Sequence, residues 1–169
     1  MTAAAIAMPE PTHETTMETR LFGPVTLDGA RVVEFERGLL GFPRFRRWVF
    51  LDGEAEGMSW LQSLDHPALA FLLVNPFAAF PYFTLRIGST ELRALGARHA
   101  SELTVCALVT IAPDLDVAGT ANLQGPLLIN LRERRGMQVV IADSEWTVRE
   151  ALPSFIEVPR FAAATALVK

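Results

Sequence analysis

The chain has 169 residues, half of them hydrophobic, which is enough for one compact domain with a buried core and makes a second domain unnecessary. Its 15 basic and 19 acidic residues give a net charge of -4, which disfavours direct binding to a nucleic-acid backbone. The single cysteine, Cys106, cannot form an internal disulfide. Its isolation and the lack of a signal-like start predict a cytoplasmic protein.

The start of the chain is rich in Ala, Thr, Pro and Glu without periodicity, so residues 1–18 are predicted to form a disordered leader. From Thr19 onward, short runs rich in Val, Leu, Phe and Trp alternate with turn-forming residues. These runs predict strands over residues 21–27, 31–35, 48–51, 58–64, 69–74, 83–87, 103–112, 120–124, 127–131 and 138–142. Asp28-Gly29, between the first two runs, predicts a two-residue hairpin turn. Many short strands with frequent turns are typical of an all-β sheet that curls or closes, so the predicted fold class is mainly β and barrel-like.

Helix is scarce, and two short segments are predicted. Residues 89–95 begin with Ser89, carry Glu91 in the first turn and precede Gly96, which is a suitable stop. Residues 144–152 are compatible with a second short helix, although the strand over residues 138–142 is equally able to continue to Trp146. The C-terminal extension, residues 153–169, is predicted to be loose and to dock either on the sheet or on a partner.

Residues that perform chemistry are sparse and scattered. His66 and His99 have no Cys or His neighbour at metal-ligand spacing, and Cys106 lies in an apolar run where a buried, inert thiol is expected. Asp114 and Asp116 lack the glycine and closing glutamate of a calcium loop, which favours a solvated turn. We therefore predict no catalytic residues, no metal site and no cofactor.

Three segments combine large apolar residues with tight turns or amides. Residues 35–45 either fold back beneath the sheet, which we favour, or present an apolar patch to a partner. Residues 60–77 and 120–130 carry Gln and Asn side chains beside apolar strands. An amide has donors and an acceptor that need partners, so these groups either lock neighbouring backbone or face another molecule. Such groups indicate recognition rather than catalysis.

Taken together and in this order, the three segments resemble the flagellar assembly factors of the FliW family. The resemblance depends on Phe-Glu-x-Gly-Leu-x-Gly-Phe at 35–42, Leu-Gln-Ser at 61–63, Leu-Ala-Phe at 69–71, Asn-Pro-Phe at 75–77, Thr-Ala-Asn-Leu-Gln-x-Pro at 120–126, Ile-Asn at 129–130 and Gly-Met-Gln at 136–138. It covers residues 19–146, with departures at Gly125, where Ala is more common, and at Trp146, where Tyr is more usual. We assign residues 19–152 to a single FliW-like domain.

This resemblance implies a small antiparallel β-barrel-like protein without enzymatic activity. Family members bind CsrA, a dimeric RNA-binding translational repressor, and they also bind flagellin. Flagellin that occupies the factor releases CsrA, which then represses flagellin translation, so that synthesis follows secretion. The resemblance also implies a monomer when free. We hypothesise that the acidic residues 52–56, or Asp114 with Asp116, repel RNA phosphates from bound CsrA without occupying its RNA site.

The residues that we predict to contact a partner are polar or aromatic members of these motifs. They are Gln62, Ser63, Asp65, Asn75, Phe77, Asn122, Gln124 and Asn130. Each of the polar residues has an alternative, structural role, in which its side chain only forms hydrogen bonds with nearby backbone. Burial of the side chain discriminates between partner contact and this structural role. At the level of function, the alternatives are a β-barrel that holds a small ligand or cofactor in its mouth, as a binding protein or an enzyme, and a nucleic-acid-binding barrel, which the net charge opposes.

Overall fold

The computed structural model describes residues 15–27, 29–111, 118–142 and 144–158. Within these ranges the chain forms eleven strands, two short α-helices and two single 3-10 turns, at Gly29–Arg31 and Ala100–Glu102. The strands are β1 Thr15–Thr19, β2 Gly23–Leu27, β3 Val32–Phe35, β4 Arg47–Asp52, β5 Met58–Ser63, β6 Ala70–Val74, β7 Thr104–Ile111, β8 Gly119–Ala121, β9 Leu127–Asn130, β10 Arg135–Gln138 and β11 Glu150–Ala151. The helices are α1 Pro76–Ala79 and α2 Ser89–Ala94. The predicted mainly β fold class is confirmed.

Seven of these strands close into a barrel in the order β7-β6-β5-β4-β3-β10-β9, because β9 also pairs with β7. Neighbouring strands of the barrel are antiparallel, except that β10 runs parallel to β3. Beyond the barrel, β8 continues from β7 and carries β11 at its far edge. β1 and β2 form a separate two-stranded hairpin.

The inside of the barrel holds one hydrophobic cluster, which we call the interior core. It is built from alternate residues of the barrel strands, as expected for strands with one face turned inward. Its buried members are Val33, Phe35, Leu39, Trp48, Phe50, Leu61, Leu69, Leu73, Cys106, Leu127 and Ile129. Gly136 on β10 lies directly against Phe35, and a Cβ atom at this position would approach the Phe35 ring to 2.5 Å. Only glycine therefore fits beside this ring.

A second cluster, which we call the outer layer, lies on the opposite face of β5, β6, β7 and β8. Its buried members are Met58, Trp60, Leu72, Val74, Ala79, Phe80, Phe83, Ala107, Val109, Ala121, Leu123 and Leu152. The segment around α1 and the residues after Trp146 cover this face. Phe22 adds an edge-to-face contact with Trp60, the ring centroids lying 5.3 Å apart.

The N-terminal part of the fold differs from the sequence prediction. Residues 15–18, which we assigned to a disordered leader, belong to β1 and pair with β2. The hairpin expected at Asp28-Gly29 is also wrong, since β2 pairs with β1 while β3 pairs with β4 and β10. Gly23, with a φ of 65°, starts β2 in the left-handed conformation that the preceding tight turn requires. Residues 1–14 and Asp28 lie outside the described ranges.

The predicted helix near Ser89 is confirmed as α2, and Gly96 follows it with a φ of 67°. The helix considered for residues 144–152 does not form, because Glu150 and Ala151 pair with β8 and the Glu150 carboxylate accepts the Thr147 N–H at 2.7 Å. Residues 83–87, predicted as a strand, have no regular structure. The strand predicted over residues 138–142 is also mostly wrong, because β10 covers residues 135–138 and only Gln138 is shared.

The structure also shows where the loop over residues 35–45 and the C-terminal extension lie, which the sequence left open. The loop over residues 35–45 folds beneath the sheet, with Leu39 buried and Phe42 and Phe45 packed on the interior core, while Leu40 stays exposed. The first part of the C-terminal extension docks on the barrel, since Ile156 and Val158 pack against the outer layer. Residues 159–169 lie outside the described ranges.

Candidate partner-binding surface

Gln62 and Ser63 are both buried and hold the turn that follows β5. The two N–H groups on Gln62 Nε2 are shared among the carbonyl oxygens of Ser63, Pro67 and Leu69, at 2.9, 3.3 and 3.0 Å. Gln62 Oε1 is buried and has no hydrogen-bond partner among the described residues. Because these side chains point into the fold, a protein docked on the surface cannot contact them, which corrects our prediction for this pair.

Ser63 and Asp65 extend the same network toward β4. Ser63 Oγ accepts the N–H groups of Asp65 and His66, at 3.2 and 3.0 Å. The exposed Asp65 accepts the backbone N–H groups of Arg46 and Arg47 and forms an ion pair with the Arg47 guanidinium at 3.0 Å. Partial burial raises the pKa of Asp65, but these hydrogen bonds and the Arg47 charge outweigh burial and lower the pKa below its ordinary value. The carboxylate is therefore a charged brace between two turns.

Asn130 is also buried and joins α2 to the barrel. Its Nδ2 donates to the Leu95 carbonyl oxygen just beyond α2, at 3.0 Å, and its Oδ1 accepts the Glu133 N–H at 3.2 Å. Both ends of the amide are thus satisfied within the fold. The prediction that Asn130 contacts a partner is corrected to a structural role at a helix end.

Asn122 and Gln124 are half-buried beside the turn between β8 and β9. Asn122 Oδ1 accepts the Gly125 N–H at 2.8 Å, which closes the turn. The Gln124 backbone donates to the Thr147 carbonyl oxygen at 3.3 Å and accepts from Ile141 at 2.9 Å. Asn122 is thereby a turn-forming residue, whereas the half-exposed Gln124 side chain stays a candidate contact.

Gln138 was not among the predicted site residues, yet it links two of the three motif segments. Its Nε2 donates to the Gly125 carbonyl oxygen and its Oε1 accepts the Leu40 N–H, both at 2.9 Å. The loop over residues 35–45 and the turn after β8 are thereby held together by one side chain. In the sequence, the Gly-Met-Gln motif at 136–138 was the feature that could have indicated this linking role of Gln138.

Asn75 and Phe77 are exposed, and the structure brings them together at a cleft of about 340 Å³, which we call the notch. Asn75 Oδ1 accepts the Phe77 N–H at 3.0 Å and so caps α1, a helical turn that Pro76 can begin because its missing N–H is not needed there. Phe77 is 49% exposed. The other residues that line the notch are Phe50, Gly57, Met58, Ser59, Leu103, Thr104, Val105 and Cys106.

A second, more apolar groove of about 310 Å³ lies over the outer layer. It is lined by Ala79, Phe80, Pro81, Tyr82, Trp146, Glu150, Ala151, Pro153 and Phe155. Tyr82 is 88% exposed and Phe155 is 65% exposed at its rim. The sequence did not predict this groove, because Trp146, Glu150 and Ala151 were assigned to a helix that does not form and residues 79–82 were assigned to no element.

The described residues offer little for chemistry. Burial raises the pKa of the Cys106 thiol to about 12, so the sulfur is protonated and a poor nucleophile at neutral pH. Across the described ranges, no three His, Cys, Asp or Glu side chains lie together in a way that could hold a metal ion. Asp114 and Asp116 lie outside these ranges. Neither described helix is long or apolar enough to cross a membrane.

Comparison with known proteins assigns the chain to a family. The model of the FliW protein family matches residues 16–152. The flagellar assembly factor FliW of Treponema pallidum (strain Nichols) is 37% identical over 133 residues, which cover 79% of this chain and 88% of that protein. The corresponding factor of Symbiobacterium thermophilum is 39% identical over 123 residues, which cover 72% of this chain and 88% of that protein.

The fold gives an independent comparison. A crystal structure of the flagellar assembly factor FliW superposes with a TM-score of 0.75 at 29% sequence identity, covering 84% of this chain and all of the other. The sequence motifs, the matched range and the shared barrel agree. The chain belongs to the FliW family.

Proposed function

We propose that this protein is a flagellar assembly factor that binds the translational repressor CsrA and binds flagellin. In this role it sequesters CsrA while flagellin is being exported and releases CsrA when unexported flagellin accumulates. The observation that carries the proposal is the family match over residues 16–152, nearly the whole described fold, with relatives named as flagellar assembly factors. The synthesis of flagellin would thereby follow its secretion.

The filled barrel supports a protein that works through its outer surface. Phe35, Trp48 and Leu61 are fully buried in the interior core, where a ligand-binding barrel would hold its chamber. The two clefts described above open outward between strands and loops. The alternative of a barrel that holds a small ligand or cofactor, as a binding protein or an enzyme, therefore has less support than protein binding.

Charge supports a repulsive effect on RNA. The net charge is -4, and Glu54 and Glu56 are exposed in the loop after β4. Asp52 in the same acidic cluster pairs with Arg31, whose guanidinium nitrogens lie 2.5 and 3.0 Å from the carboxylate oxygens, so its field is partly neutralised. We assign the repulsion to Glu54 and Glu56. Their field extends about 8 Å at physiological salt, far enough to act on RNA at a neighbouring site.

A binding titration of the full chain tests the proposal. Purified CsrA and purified flagellin are titrated separately, and each is expected to bind with a Kd in the micromolar range or tighter, about -8 kcal/mol or better. Flagellin added to the CsrA complex should release CsrA. If the folded chain retains neither protein at micromolar concentration, the proposed function is wrong.

The electrostatic part has a separate test. When it is added in enough excess to saturate CsrA, the variant Glu54→Gln/Glu56→Gln should lower the RNA affinity of CsrA less than the unaltered chain does, and the difference should shrink as salt rises. Glu36→Gln/Glu145→Gln, at two exposed positions on other loops, is the matched control. Undiminished antagonism by the first variant would exclude these two carboxylates as the source.

A further inference from the structure

The first three residues of β7 have a neighbouring strand on one side only. β7 pairs with β9 through Thr104, Val105 and Cys106, and it pairs with β6 through residues 107–109. β6 ends at Val74, opposite Ala107, and the chain then turns into α1, which lies beside β7 without pairing with it. Among the described residues, no strand pairs with residues 104–106 on the β6 side.

This one-sided edge opens into the notch. The Asn75 N–H donates to the Gly57 carbonyl oxygen at 3.0 Å, which fixes the end of β6 to the loop before β5 and leaves a gap in the barrel wall. Phe50 and Cys106, whose side chains belong to the interior core, line the gap together with the exposed Phe77. The gap of about 340 Å³ therefore combines a strand edge, an apolar floor and an aromatic rim.

An open strand edge selects its ligand by backbone geometry. Successive residues of a strand direct their N–H and C=O groups to opposite neighbours, so at least one of residues 104–106 directs both groups toward the notch. An extended peptide can satisfy these groups by adding a strand, which is a common mode of peptide recognition. We infer that the notch binds an extended segment of a partner protein, which continues the sheet where β6 ends.

Charge around the notch indicates a basic segment. Glu54 and Glu56 are both exposed in the loop that leads to Gly57 of the lining, so two carboxylates lie close to this side of the notch. The lining itself contains no Lys or Arg. A segment with Lys or Arg next to apolar residues is complementary to this arrangement. The inference rests on the proposed function, and of its two partners it assigns the notch to the basic, RNA-binding one, CsrA, rather than to flagellin.

Two threonines on β7 provide a matched pair of variants. Thr104 and Thr110 are both exposed and lie an even number of residues apart, on the same face of the strand. Thr104 lines the notch, whereas Thr110 pairs with Thr120 of β8. Thr104→Arg places bulk and positive charge at the notch, and Thr110→Arg places the same side chain away from it. Circular dichroism and thermal unfolding verify that both variants fold.

The experiment titrates purified CsrA against the full chain and both variants, and repeats the titration with flagellin. Thr104→Arg should weaken CsrA binding about tenfold or more and leave flagellin binding unchanged, while Thr110→Arg should bind both proteins normally. Hydrogen exchange of the unaltered chain should slow at the amides of residues 104–106 when CsrA saturates it, because strand addition protects them.

The outcomes separate the inference from the proposed function. The inference alone is overturned if the unaltered chain binds CsrA and Thr104→Arg binds it equally well. It is also overturned if bound CsrA leaves hydrogen exchange at residues 104–106 unchanged. A variant that loses flagellin binding but keeps CsrA binding also overturns it, since the notch would then serve the other partner. Failure of the unaltered chain to bind either protein overturns both the proposed function and this inference.

Discussion

The interior core and the outer layer bury similar side chains by different means. The interior core is enclosed by the strands of the barrel, so hydrogen-bonded backbone and packed side chains close it together. The outer layer lies on one face of β5 to β8 and is covered by segments with little regular structure, namely α1, residues 80–83 and residues 146–158. Closure of the barrel thus stabilises one core, while individual loop contacts stabilise the other.

This difference indicates where the molecule can bind without unfolding. Paired strands enclose the interior core except at the notch, and opening it further would break the barrel. The outer layer ends in an apolar groove, and the notch lies where β6 stops and α1 begins. Regions held by few hydrogen-bonded neighbours open at the lowest free energy, so we expect partners to bind at these surfaces.

The largest effect should come from the interior core. Trp48 is fully buried, its indole N–H donates to the Phe45 carbonyl oxygen at 3.1 Å, and its ring packs on Phe71 with centroids 5.6 Å apart. Trp48→Ala should lower the free energy of unfolding by about 3–5 kcal/mol, measured by denaturant titration. Tyr82→Ala, at a highly exposed ring, should change it by less than about 0.5 kcal/mol. Equal effects at the two sites would contradict the account of the interior core.

Overpacking the interior core should lower the free energy of unfolding slightly less than Trp48→Ala does. Gly136→Ala introduces a Cβ atom where the Phe35 ring lies 2.5 Å away, so the ring or β10 must shift, at about 2–3 kcal/mol in the free energy of unfolding. Gly29→Ala has open space around the new Cβ and serves as the control. The double variant Gly136→Ala/Phe35→Leu should recover part of the loss, because it removes the clashing ring. No recovery would mean that backbone strain, not the Phe35 contact, explains the glycine.

Truncation in the outer layer should have an intermediate effect. Trp146 is half-buried and lies 6.1 Å from Phe80 and 5.9 Å from Phe83 between ring centroids. Trp146→Ala should lower the free energy of unfolding by about 1–2 kcal/mol.

Combining this change with Trp48→Ala sharpens the comparison. The two tryptophans have no ring partner in common, so their effects should add within about 0.5 kcal/mol in a double-mutant cycle. A coupling well above that would show that the two cores are one cooperative unit.

The smallest effect should come from the Asp65 brace. The folded pKa of Asp65 lies below its unfolded value, so its contribution is present above the unfolded pKa of about 3.9 and is lost as pH falls through the folded pKa. After allowance for solvent screening, Asp65→Asn should lower the free energy of unfolding by about 0.5–1 kcal/mol at pH 7. The difference from the unaltered chain should shrink as pH falls below about 3.9 and through the folded pKa. A difference that stays constant as pH falls through this range would show that the charge is irrelevant.

The barrel was more predictable from the sequence than its covering. In runs such as residues 58–64 and 69–74, apolar residues alternate with polar ones or follow one another over the length of a strand. These two runs form β5 and β6. Phe83 has the same local appearance, but it packs into the outer layer without a strand partner, a tertiary outcome that no local pattern encodes. The leader prediction failed at residues 15–18 because a polar strand can pair with a neighbour without a hydrophobic pattern.

The site was predictable in location more than in detail. Asn75 and Phe77 are exposed at the notch, whereas Gln62 and Asn130 are buried and hold backbone. An amide satisfies a carbonyl of its own chain or of a partner with the same chemistry, so residue type alone does not separate the two roles. The unpaired edge of β7 depends on where β6 ends, which only the three-dimensional pairing reveals.

The affinity of CsrA for the leader RNA of flagellin mRNA tests the central proposal most directly. It is measured with CsrA alone, with the full chain added in excess, and with flagellin added to that mixture. We expect the chain to lower the RNA affinity and flagellin to restore it, since the proposed function couples the two partners. RNA affinity that is unchanged by a folded, excess chain would contradict the account.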